Sequence, residues 1–186
     1  VTTVAAGTPV SSSAMNVTSL ASSVQMQETV PSGWVLASAS CTDANGSLTS
    51  NGTGSFGSLA GSTLTIPTAN LVYGADIVCT FTNQKVVPLT LRKTWVNAIA
   101  NDAVNITSSG GTVNPSLSSV ANTANETDTA TVANVYVGNT LTFSEGFTTG
   151  NSANYNSALS CTGATDTNAA DGLTINTADT AITCTY

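Results

Sequence analysis

The strongest constraint on the fold of this chain is an internal repeat that carries its four cysteines. VQMQETVPSGWVLASASCT (24–42) matches TLTFSEGFTTGNSANYNSALSCT (140–162). Each has an alternating segment ending in Glu, a Gly-containing turn with an aromatic residue nearby, and a segment closing on Ser-Cys-Thr. GSTLTIPTANLVYGADIVCTF (61–81) then matches DGLTINTADTAITCTY (171–186), each with Leu-Thr-Ile, a turn containing Asp and a last segment bearing Cys. The order Glu, Cys, Leu-Thr-Ile, Cys therefore occurs twice. Of the three connectivities open to four cysteines, this order makes Cys41–Cys79 and Cys161–Cys184 the natural pairs.

No segment keeps a helical period. Short alternating runs separated by Gly, Asn and Asp turns recur instead, the pattern of strands. At 186 residues the chain has room for two modules of about 90 residues. The expected fold is all-β, two tandem β-sandwich domains. The first repeat is 1–84 and the second 89–186, joined by a short, stiff linker at 85–88, where two valines and a proline follow Lys85.

Composition excludes several functions. Charged residues make up 7% of the chain, with 3 basic, 10 acidic and no histidine. Three cations cannot neutralise a phosphate track, so nucleic acid is not an expected partner. Without histidine, histidine-based catalysis and most zinc sites are ruled out. No cofactor or metal site is expected. Asp-containing turns such as TGATDTNAAD (162–171) offer oxygen ligands for calcium, but an Asx-rich turn explains them better. No apolar run approaches the roughly 20 residues of a membrane helix, so no membrane insertion is expected. VTTVAAGTPV lacks the basic start and apolar middle of a signal peptide. Two disulfides in so polar a chain imply an oxidising, extracellular compartment.

Strand periodicity places alternate residues on one face. In LTLRKTW, Leu89, Leu91, Lys93 and Trp95 share a face; in VQMQETV, Val24, Met26, Glu28 and Val30 do. The inward set of LTFSEGF is Leu141, Phe143, Glu145 and Phe147, and that of IVCTFTN is Ile77, Cys79, Phe81 and Asn83. Two of three glutamates and one of two lysines thus point at predicted cores. An unpaired buried charge is heavily penalised, so such groups must be paired, neutralised or chemically altered. Burial favours the neutral forms of an amine and a carboxylic acid. A neutral amine can attack a carboxamide carbon while a nearby carboxylic acid polarises its oxygen and shuttles protons. Ammonia leaves, and an amide joins the two strands.

The motifs LRKTWVN, TLTFSEGF and SALSCTGAT in the second repeat, and AGTPV, QETVPSGW, SASCTDAN, TLTIP and GADIVCTFTN in the first, resemble a known family. It is the prealbumin-like (collagen-adhesin B-type, SpaA-like) repeats of bacterial surface adhesins and pilins, in their disulfide-containing form. The resemblance implies an extracellular structural module, often stiffened by Lys–Asn isopeptide bonds formed with a Glu or Asp catalyst. By match, Lys93 is the amine and Glu145 the proton shuttle of the second repeat, while Glu28 and Asn83 are shuttle and acceptor of the first. The first repeat is expected to lack its opening strand, with no lysine facing Asn83. In the second, the inward alternation Ile182, Cys184, Tyr186 would place an acceptor Asn just beyond Tyr186.

The function implied is that of a structural module of a fibre on the bacterial cell surface. It is either a filament subunit assembled by strand complementation or a segment of a long adhesin stalk. Its expected partners are other copies of itself, head to tail, or flanking repeats of the same polypeptide. The alternative is a ligand-binding adhesin domain for a glycan or surface, with Trp34 as the aromatic candidate. Ice binding through threonine ladders is a further class. No nucleophile–base set points to an enzyme acting on an external substrate.

Overall fold

The structure is a computed structural model that describes residues 8–186. Its regular elements are almost entirely strands. They are β1 (Val24–Gln27), β2 (Trp34–Asp43), β3 (Ser58–Ala60), β4 (Thr63–Ile66), β5 (Ile77–Trp95), β6 (Ala103–Ser109) and β7 (Ser116–Val120). They continue as β8 (Glu126–Thr129), β9 (Ala133–Tyr136), β10 (Thr140–Thr149), β11 (Ser160–Thr162), β12 (Leu173–Thr174) and β13 (Ile182–Thr185). The only helical elements described are single 3-10 turns at Thr68–Asn70 and Ser152–Asn154.

The chain divides into two compact units. One holds the described residues up to Thr29 together with Ser38–Thr82; the other holds Val30–Ala37 and Asn83–Tyr186. In the first unit β4 lies between β1 and β3, both antiparallel to it, with Met26 opposite Leu64 and Val24 opposite Ile66. The buried faces of these strands close on Cys41, Leu64, Ile66 and Leu71, against which Val24, Met26, Phe56, Ile77 and Phe81 pack. The Cys41–Cys79 disulfide ties β2 to β5 within this core. Proline-initiated turn chemistry sets the entry to β2. Trp34 N donates to Pro31 O (3.2 Å), and Gly33 takes the positive φ of 80° that the third turn position requires.

The second unit contains the four-stranded antiparallel order β12-β10-β6-β7. It also contains β5, which pairs antiparallel with β9 and β8 and parallel with β13; β13 in turn pairs with β11. Its core is Val87, Leu89, Leu91, Ile106, Val135, Leu141, Leu173, Ile175, Ile182 and Cys184. The parallel register, Ile182 beside Leu89 and Cys184 beside Leu91, puts the inward residues of both strands in one layer. Cys161 and Cys184 are directly opposed across β11–β13 and form the second disulfide.

Residues 85–88, expected as a linker, are interior residues of β5. Val86 and Val87 are buried, paired with Tyr136 and Val135 of β9, so burial of two β-branched side chains keeps the chain in the sheet. Pro88 sits at an exposed position of the same strand. Val30–Ala37, read as part of the first repeat, belong to the second unit, where Val86 N donates to Gly33 O (2.9 Å). The expected absence of an opening strand in the first repeat falls on residues 1–7, outside the described residues. Residues 8–19 carry no regular element.

A candidate cross-linking site around Lys93 and Glu145

Five polar or charged residues are buried among the described residues: Asp43, Lys93, Asp102, Ser119 and Asp179. Each has partners, as buried polar groups must. Lys93 is the cation among them. It is inward on β5 because Leu89, Leu91 and Trp95 are, every second residue from Leu89 to Trp95 being buried. Glu145 comes from β10, opposite Ile106 of β6, on the alternation that also carries Leu141 and Phe143. Lys93 Nζ lies 2.8 Å from Glu145 Oε1, with side chains only 8% and 4% exposed respectively. Ser157 Oγ donates to Glu145 Oε2 at 2.6 Å, fixing the carboxylate from its other side. The ammonium also stands 4.6 Å from the centroid of the Trp95 ring, a cation–π arrangement.

Trp95 is itself held in place. Its Nε1 donates to Ser119 Oγ (2.8 Å), and Ser119 Oγ donates to Asp128 Oδ2 (2.6 Å). Phe147 and Tyr155 meet the indole edge-on, at centroid distances of 6.2 and 5.6 Å. Tyr155 OH donates to Asp102 Oδ2 (2.5 Å) and accepts from Ile99 N (3.0 Å). The hydrogen bond to Asp102 holds the phenol proton, so Tyr155 ionises above the ordinary tyrosine range. Gly150 makes room for that carboxylate, since a Cβ there would strike Asp102. Between Phe147 and Thr149 the β10–β6 register slips, a bulge that ends regular pairing beside these aromatics.

A cavity of about 480 Å³ opens beside the ion pair, lined by Lys93, Glu145, Trp95, Tyr155, Asn156 and Tyr186 among others. The β13 strand leads towards it. Tyr186 N donates to Arg92 O (3.0 Å), and Thr94 N donates to Tyr186 O (2.8 Å). Burial and then the Glu145 charge push the Tyr186 hydroxyl above its usual pKa. Chemically, the site holds an amine, a carboxyl group that could relay protons, and space beside both for a third group.

The structure brings Lys93 and Glu145 together, and likewise Cys41 with Cys79 and Cys161 with Cys184. Glu28 is half-buried on the side of Val24, Met26 and Val30, and its backbone N donates to Ser62 O (3.0 Å). Asn83 is half-buried within β5. Lys85 turns to the loop before β13, donating to Thr177 O and, at 3.1 Å, to Asp179 O. Trp34 is half-buried at the start of β2. In the turn considered for calcium, Asp166 accepts from Asn168 N (3.1 Å) and Thr174 N (2.8 Å), an Asx turn, and both bonds hold its pKa below the ordinary value.

Sequence reasoning missed Ser157, Ser119 and the Tyr155–Asp102 pair, which lie on loops or positions without an alternating signal. It also missed two aspartate clamps. Asp43 Oδ1 accepts from Asn45 N and Asp76 N (both 2.9 Å), and Oδ2 from Thr49 Oγ1 (2.7 Å) and Asn51 Nδ2 (2.9 Å). The Thr49 hydroxyl is the largest of the contributions that draw the Asp43 pKa from 3.8 down to about 2. In the second unit Asp179, 1% exposed, accepts from Thr165 N (2.8 Å), Thr165 Oγ1 (2.9 Å) and Asn176 N (2.8 Å). Each clamp ties the turn before a closing Cys strand to the segment after the other Cys. In the first unit the carboxylate sits on one side of that tie, and in the second on the other. The Asp-x-Asn spacing of Asp43 and Asn45 is the signal that could have found the first.

Comparison with protein families matches residues 1–85 to the prealbumin-like fold domain of the SpaA type. The two disulfides fit the disulfide-containing variety of that fold. Domains of this type are structural or adhesive parts of cell-surface proteins. Comparison with characterised proteins and with solved structures finds no match.

Proposed function

We propose that this chain is a structural module of an extracellular fibre on a bacterial surface, either a filament subunit or a segment of an adhesin stalk. The observation that carries this reading is the prealbumin-like match over residues 1–85. The repeat supports extending it along the chain: the second unit has its own disulfide and an inward glutamate on the strands the repeat assigns to them, with Lys93 paired to that glutamate. On this reading two β-sandwich modules, 1–84 and 89–186, follow one another along the chain, and β5 passes from the first unit to the second at Thr82–Asn83. Its partners are other copies, joined head to tail, or flanking repeats of the same polypeptide.

Within the second module the proposed chemistry is isopeptide formation. Lys93 Nζ attacks the Cγ of an asparagine side chain placed in the adjoining cavity, while Glu145 passes a proton to the departing nitrogen. The C–N bond to the amide nitrogen breaks, ammonia leaves, and a Lys–Asn amide remains. In the first module Glu28 and Asn83 are assigned the shuttle and acceptor roles. The test is the material as its cells make it, run under reducing, denaturing conditions and then weighed intact. A ladder or a very large species means a covalent string of modules, and a single small band means separate subunits. A mass short by one ammonia, with Lys93 in a branched peptide, supports the cross-link. An unmodified Lys93 in assembled fibres removes it.

A further inference from the structure

The loop between β2 and β3 carries both Asn-Gly steps of the chain, Asn45–Gly46 and Asn51–Gly52. Asparagine before glycine is the step most open to succinimide closure, because no side chain shields the next backbone nitrogen from the carboxamide carbon. The fold calls for glycine at both places. A Cβ on Gly46 would strike Gly52 O, and Gly52 takes a positive φ of 67°. The asparagines are tied down as well. Asn51 Nδ2 donates to Asp43 Oδ2 (2.9 Å) and to Asn70 O (3.0 Å), and Asn51 Oδ1 accepts from Asn70 Nδ2 (3.1 Å). Asn45 Nδ2 donates to Gly74 O (2.8 Å). Gly46 N, the nitrogen that would attack Asn45, donates to Asp43 O (3.0 Å). One step is thus restrained at its carboxamide and the other at its nucleophile, and Asp43 takes part in both.

We propose that Asn51 is a latent modification site, a deamidation switch that the Asp43 clamp keeps shut while the loop is folded and that holds the clamp open once it has fired. In the folded loop three bonds keep the Asn51 carboxamide on Asp43 and Asn70, so it does not turn towards Gly52 N. When the loop opens, Gly52 N bonds to Asn51 Cγ, the Cγ–Nδ2 bond breaks, and ammonia leaves with the Gly52 proton. Water then opens the succinimide at either carbonyl and leaves aspartate or isoaspartate. The sum is amide plus water giving carboxylate plus ammonium, with no other reactant. Residue 51 now meets Asp43 as a second carboxylate where a donor stood, and two like charges so close disfavour each other. Asp43 Oδ1 also accepts from Asp76 N (2.9 Å), which ties the segment after Cys41 to the turn before Cys79. That tie is what the new charge loosens, in one direction only. The second unit holds no Asn-Gly step, so its Asp179 clamp carries no such switch.

The test incubates the full, disulfide-bonded chain in mildly alkaline buffer, folded or in urea, and follows Asn51 and Asn45 separately by peptide mass spectrometry. The folded chain should convert Asn51 at least about ten-fold more slowly than the denatured chain, because opening of a bonded loop is a minor event. Asn70→Ala removes the donor to Asn51 Oδ1 without touching Asp43, and should speed Asn51 several-fold while leaving Asn45 unchanged. Equal rates at Asn51 in folded and denatured chain would overturn the guard. So would an Asn70→Ala chain that converts Asn51 no faster, or that speeds both steps alike, which is general loosening. Asn51→Asp writes the product into the chain directly, and hydrogen exchange then reads the Asp76 amide, with β4 amides reporting that the unit stays folded. The same exchange is read on parent chain aged in the buffer and separated by its added charge. The Asp76 amide should exchange at least about ten-fold faster in both. An Asp76 amide as protected as in fresh parent would overturn the lock.

Discussion

Replacing Lys93 by methionine isolates the contribution of the buried ion pair. Methionine keeps the length and apolar stem of lysine, so the core packing of Leu91 and Trp95 is largely kept. What is lost is the 2.8 Å contact to Glu145 and the ammonium over the Trp95 ring. Glu145 is then left with a side chain 4% exposed and a single described hydrogen bond, from Ser157. Breaking a buried pair on one side costs about 3–5 kcal/mol, because the remaining charge stays desolvated. Glu145→Leu alone should cost a similar amount by stranding Lys93. The double change Lys93→Met with Glu145→Leu removes both charges, and should recover to within about 1–2 kcal/mol of the parent, far from the sum of the singles. Both tryptophans, Trp34 and Trp95, lie in the second unit, so intrinsic fluorescence during urea unfolding reports this unit alone. With a slope near 2 kcal/mol/M, each single change should move its midpoint down by roughly 2 M. Single variants within about 0.5 kcal/mol of the parent, or a double variant equal to the sum of the singles, would refute the reasoning that the pair is buried and coupled.

Reducing the disulfides should cost each unit about 3–4 kcal/mol, slightly more for the 38-residue separation of Cys41–Cys79 than for the 23-residue separation of Cys161–Cys184. Peptide mapping without reductant should find only these two links. Asp43 has its folded pKa drawn from 3.8 to about 2, so its contribution to stability is complete above about pH 4 and is lost as pH falls through 2. Asp43→Asn should flatten the acid limb of the first unit's stability between those values, read by hydrogen exchange of β4 amides. Tyr155→Phe leaves buried Asp102 without its phenol donor and should cost about 1–3 kcal/mol. The same change should remove a late-ionising tyrosine from the alkaline absorbance titration.

The inward position of Lys93 and Glu145 was legible because it needs only the period of two, read from Leu89, Leu91 and Trp95 on one side and Leu141 and Phe143 on the other. The disulfide pairs were legible from the order of the repeat. The fate of residues 85–88 was not. A proline after two valines carries the same letters whether the valines are exposed in a connector or, as here, buried against Tyr136 and Val135 of a strand far along the chain. Ser157 and Ser119 were silent for a related reason. Their roles come from what lies across space, Glu145 for one and Trp95 and Asp128 for the other, and a serine in a serine-rich chain carries no signal of that. The parallel pairing of β5 with β13 likewise depends on where the last strand returns, which alternation within either strand leaves open.

The central claim, that this chain is a structural module of a surface fibre, is met most directly by immunogold electron microscopy of cells that make it, with antibody raised against the folded chain. The account predicts label in rows along thin appendages outside the cell, at a spacing that repeats. Label confined to the cell interior, or scattered on cells that bear no fibres, would contradict it.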